Sequence, residues 1–71
     1  MLTVKDLIKT QIIILKSCLT MDESMRLTRY TMIVNCQLMF KIANPFQGFE
    51  RKVLNDGCMF LINELNKMLE E

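Results

Sequence analysis

Residues 20–45 read TMDESMRLTRYTMIVNCQLMFKIANP, and the arrangement of this stretch decides how the rest of the chain must fold. It opens on a helix-start signal. Thr20 stands as a hydroxyl N-cap, Glu23 follows three residues later as in a capping box, and Asp22 and Glu23 place negative charge where the helix macrodipole favours it. It closes at Asn44-Pro45, where proline fits the first position of a new helix, Asn44 can cap it, and Gln47 occupies the reciprocal capping-box position. Residues 21–43 are therefore expected to form one helix. At 100° per residue its apolar side chains fall into two separate stripes, Leu27, Val34 and Leu38 on one side and Met25, Met32, Cys36, Met39 and Ala43 on another. Small polar residues, Ser24, Thr28, Thr31 and Asn35, form a seam between them that would let helices approach closely. The remaining face carries Asp22, Glu23, Arg26, Arg29, Gln37 and Lys41, but Tyr30, Ile33 and Phe40 interrupt it. A helix that is apolar nearly all round is a central one, and the other helices of so short a chain can hardly surround it; a second subunit can.

Working outward, Thr3 and Asp6 offer a weaker capping box for a first helix over about residues 3–19. Val4, Leu7, Ile8, Ile12, Ile14, Leu15, Cys18 and Leu19 share one arc of that helix. Gln11 falls inside the arc, either bonded to a neighbouring helix or fixing the register of an intersubunit seam, and Ile13 stands on the opposite, polar face. A third helix is expected over about residues 45–70. Asn55-Asp56-Gly57 in isolation reads as a turn, but Phe46, Phe49, Val53, Gly57, Phe60 or Leu61, and Leu65 or Met68 keep helical spacing through it. The helix should run straight through, with Gly57 on the inner face admitting another backbone. Glu50 and Glu64 lie within its apolar arc and want partners, for which Arg26 and Arg29 are the candidates.

The chain has 71 residues and a formal charge of +1, one domain spanning residues 1–71. Area scaling gives such a chain about 4,600 Å² of folded surface and buries only about 60% of what the unfolded chain exposes, a margin that small domains widen with disulfides, metals or association. Three cysteines, Cys18, Cys36 and Cys58, are odd in number, widely spaced and set in apolar stretches, so they read as reduced, packed thiols. There is no histidine, which removes the commonest general base and the commonest metal ligand. Glu50 and Glu64 would stand about 21 Å apart along a straight helix, too far for a two-carboxylate pair. No phosphate loop, nucleotide fingerprint, triad or calcium loop occurs, and the expectation is a non-enzyme without cofactor or metal. The longest charge-free run, Tyr30 to Phe40, is about half of what a bilayer span requires. With no export signal in the first residues, a soluble chain in a reducing cytoplasm is expected.

The expected architecture is thus an all-α three-helix unit that associates through helices 1 and 2 or 2 and 3, as a symmetric homodimer forming a larger bundle. Its candidate interface residues are Gln11, Ile13, Met25, Met32, Ile33, Cys36, Met39 and Phe40. The expected function is protein–protein interaction, as an adaptor or inhibitor that binds a larger, unidentified partner. Short chains without catalytic equipment resemble in style the small regulators of bacteriophages and bacteria, an analogy of class alone. Two other readings stand beside it. One is a nucleic-acid-binding regulator, in which the turn at residues 19–22 joins a helix-turn-helix and Lys5, Lys9 and Lys16 follow a phosphate backbone, although Asp22 and Glu23 would repel it. The other is a structural subunit, incomplete outside a larger assembly.

Overall fold

Thr3 begins the first helix as its composition demands. Its Oγ1 accepts the Asp6 backbone N–H at 3.1 Å, and the Asp6 carboxylate accepts the Thr3 N–H at 3.0 Å, closing a complete capping box. These hydrogen bonds from Thr3 hold the Asp6 carboxyl below the ordinary aspartate range. In the computed structural model, which describes all 71 residues, α1 spans Val4–Cys18, a single 3₁₀ turn spans Glu23–Met25, α2 spans Arg26–Phe40 and α3 spans Arg51–Glu70. The protein is all-α, with three helices in a body of 35 × 23 × 17 Å. None of them is long and apolar enough to cross a membrane.

The helix boundaries differ from the sequence expectation at both ends of α2 and at the start of α3. Thr20 does not cap α2; its hydroxyl donates back to the Ser17 carbonyl, and the chain tightens through i→i+3 bonds before it turns. Asp22 caps the 3₁₀ turn instead, its Oδ1 accepting the Ser24 N–H at 2.9 Å, and that turn leads into α2, whose own N-cap Met25 makes no side-chain cap bond. The helix stops at Phe40, short of residue 43, because Lys41 takes the left-handed conformation at φ 55°. The N–H groups of Lys41 and Ile42 both close on the Gln37 carbonyl there, the usual way of satisfying a C-terminal orphan.

Asn44-Pro45 does turn the chain as read, and the Asn44 Oδ1 accepts the Phe46 N–H at 2.9 Å. No helix grows from it. Gly48 sits at φ 132°, and residues 44–49 form a strap whose aromatic rings prefer lateral partners to helical positions. Phe49 stacks on Tyr30 of α2 with ring centroids 4.3 Å apart, and Phe46 meets Phe60 of α3 edge-on at 6.3 Å. Helix α3 then begins at Arg51, six residues later than expected, and runs unbroken through Gly57.

The core comes from one face of each helix. Ile8, Ile12, Leu15 and Cys18 of α1 meet Leu54, Cys58, Leu61, Ile62 and Leu65 of α3, with α2 laid across both through Ile33 and Cys36. All three cysteines are free and buried, and they converge here. The Cys18 Sγ–H donates to the Met32 Sδ at 3.5 Å, and Cys58 is its neighbour in the core. The neighbouring Cys58 favours the thiolate of Cys18, Cys18 together with burial pushes the Cys58 thiol up, and burial raises Cys36 to about 11.

Candidate interaction surface

The inward face of α2 takes only Cys36 and part of Met32 from the two apolar stripes. It is the row Arg29, Ile33, Cys36 and Phe40, spaced four, three and four, and all but Cys36 lie on the side that reads as mostly polar. Arg29 is 1% exposed, its guanidinium donates to the Asn55 Oδ1 of α3, and its Nε–H has no acceptor. Ile33 and Cys36, expected at an interface with another subunit, are instead part of the chain's own core, at 4% and 0% exposure, and Phe40 is half-buried against it. The ion pairs are also local ones, except that Arg51 at the start of α3 reaches Glu23 at 3.9 Å. Arg26 bonds Glu23 three residues back, Glu64 pairs with Lys67 at 3.5 Å, Glu50 is exposed at the start of α3, and Arg29 meets no carboxylate. The late start of α3 puts Glu50 outside the helix face on which it was expected to reach an arginine.

Turning α2 so that Arg29 and Cys36 face inward carries the stripe of Leu27, Val34 and Leu38 to the far side. Leu27 is 66% exposed and Leu38 73%, while Val34 is half-buried. Thr31 completes this row within the helix, so positions 27, 31, 34 and 38 step by four, three and four, and the C-cap residue Lys41 follows three further on. That is the 3.5-residue repeat with which a helix faces another helix. At the C-terminal end of the row Val34, Gln37, Leu38 and Lys41, with Ile42 and Ala43, surround an open hollow of about 410 Å³. Val34, Gln37 and Leu38 stand at i, i+3 and i+4 on the helix, three corners of a hole that receives one side chain in knobs-into-holes packing, and the left-handed C-cap residue Lys41 closes the fourth side just past the helix end.

The other predicted interface residues are dispersed. Gln11, Met32 and Met39 come together with Ile14 and Asn35 around a second hollow of about 240 Å³ between α1 and α2. Met25 and Met39 are half-exposed on the same flank of α2. Ile13 is 68% exposed but stands on α1, away from the core face of that helix. Lys5, Lys9 and Lys16 are exposed along α1. No three cysteine or acidic side chains are grouped to hold a metal ion. No protein-family model, curated protein or solved structure matches the chain.

Sequence reasoning named Leu27, Val34 and Leu38 as a stripe and yet left them out of the interface. The signal that would have promoted them is the spacing of Arg29, Ile33, Cys36 and Phe40, which is as regular as any apolar stripe once an arginine is admitted to the inner face.

Proposed function

We propose that this protein is a non-enzymatic helical interaction module, an adaptor or inhibitor that works by docking the outward face of α2 on other protein surface, including a copy of itself. The observation that carries the reading is the pair Leu27 and Leu38, two large apolar side chains left mostly exposed on the side of the helix opposite the core. Scattered exposed leucines are ordinary, but these two belong to a row with the period of helix pairing and border a hollow with the corners of a packing hole. Met25 and Met39, across the small polar seam from the row, add adaptable apolar surface that suits a binding protein.

The test is a comparison of proteins retained from a cell lysate by the wild-type chain and by a Leu27→Glu/Leu38→Glu variant. Both positions are exposed, so the variant is expected to keep its helical circular dichroism and melting temperature while losing its retained partners. Equal retention by the two chains would overturn the reading.

A further inference from the structure

We infer that the hole at the C-terminal end of α2 is filled by Leu27 of a second copy of this chain, the two α2 helices packing antiparallel about a two-fold axis. This rests on the reading of the outward face of α2 as a contact surface and assigns its occupant.

The row supplies both halves of the contact. The hole formed by Val34, Gln37, Leu38 and Lys41 is centred between residues 37 and 38, and the apolar knob on the same row, at the other end, is Leu27. When two such helices are laid antiparallel with Leu27 of one copy against Leu38 of the other, Thr31 falls opposite Val34, and every layer is repeated by the two-fold. The contact is self-complementary, as an isologous interface must be. Thr31 in the middle, with Ser24, Thr28 and Asn35 along one edge, keeps the helices close.

Charge selects the direction. In the antiparallel arrangement Lys41 lies opposite Ser24 of the second copy, near Asp22 there, Glu23 being already paired with Arg26 and Arg51 of its own chain. Neither Asp22 nor Lys41 forms a salt bridge within its own chain. A parallel pair would set Asp22 and Glu23 against the same acids, Lys41 against Lys41, and the two macrodipoles side by side in the same sense. A different protein could offer an apolar knob, but this chain already carries one at the matching position with the matching charges around it.

Area sets the strength. The 15 residues of α2 make a strip about 22 Å long and 10–12 Å wide, roughly 500 Å² over the two copies and below the roughly 1,000 Å² that a stable specific interface clears, so the pair is a weak, transient one. The dimer should therefore dissociate on dilution.

Cross-linking tests both the occupant and its direction. Separate Leu27→Cys and Leu38→Cys variants are mixed under oxidised glutathione and run without reductant; the native thiols are all buried and the new ones exposed. The mixture should yield a disulfide-linked dimer, while each variant alone should not, because like positions stand about 16 Å apart in the antiparallel pair, far beyond the roughly 4.4–6.8 Å between Cα atoms that a disulfide allows. Cross-linking by Leu27→Cys alone would overturn the antiparallel assignment. A mixture that cross-links no better than one containing Ile13→Cys would overturn the second copy as occupant. If that happens while Leu27→Glu/Leu38→Glu still loses its lysate partners, self-docking fails and the contact surface stands; retained partners as well would remove both.

Discussion

Arg29 shows how one side chain can redirect the reading of a whole helix. A guanidinium that is 1% exposed, with an amide oxygen for its acceptor and one N–H unanswered, gains far less than the desolvation of a cation ordinarily requires. Its long stem nevertheless fills core space beside Ile33 and Cys36, as arginine stems do. Asn55→Leu should strand the charge and destabilise the fold by about 2 kcal/mol, the worth of a hydrogen bond to a charged group. Adding Arg29→Met to that variant should recover most of the loss, since an apolar pair of similar length leaves nothing unsatisfied. Urea unfolding of the two single variants and the double variant measures this; a double variant no more stable than Asn55→Leu alone would show that Arg29 acts through packing only. From the sequence Arg29 reads as a partner for Glu50 or Glu64, and the residue it does meet, Asn55, reads in isolation as part of a turn. Neither reading could be corrected without knowing which side of α2 faces inward, and that depends on contacts 26 residues apart in the chain.

Local chemistry set the helix interiors, and competition between distant side chains set their ends. The box at Thr3 and Asp6 and the passage of α3 through Gly57 are legible because each rests on residues within a turn or two of one another. The start of α3 is not. Asn44-Pro45 carries every local sign of a helix N-terminus, yet Phe49 gains more by stacking on Tyr30 than by continuing a helix through Gly48. Gly57 belongs to the same balance. A Cβ there would lie 2.6 Å from the Asn44 Nδ2, so the glycine makes room for a strap side chain, where the sequence suggested a neighbouring backbone. Gly57→Ala should therefore destabilise the protein even though alanine is favoured by about 1 kcal/mol in a helix interior. In an Asn44→Ala background the obstruction is gone, and the same substitution should become stabilising by up to that amount. Thermal melts of the four chains decide it; a Gly57→Ala effect of the same sign in both backgrounds would mean that Asn44 and the glycine are not coupled.

The assembled chain exposes 4864 Å², close to the roughly 4,600 Å² expected of a folded monomer of its size. Total area therefore gives no reason for a partner, and the argument from a thin core that the composition suggests is weaker than the argument from where the apolar surface lies. Three helices do provide one continuous core, with α2 buried along a single face. What they leave over is the ordered row on the opposite face, beside a hollow with the geometry of a packing hole. The sequence made that row visible as a stripe but could not tell which of its stripes the chain would cover for itself, since that choice was made by Arg29, Ile33 and Cys36 together. The most direct measurement is the mass in solution, by light scattering behind a sizing column over a tenfold concentration range under reducing conditions, of the wild-type chain and the Leu27→Glu/Leu38→Glu variant. The wild-type mass should climb from 8.4 kDa toward twice that value as concentration rises, while the variant, equally helical, stays at 8.4 kDa throughout. A wild-type chain that remains at 8.4 kDa across the range, or a variant that associates equally well, would contradict it.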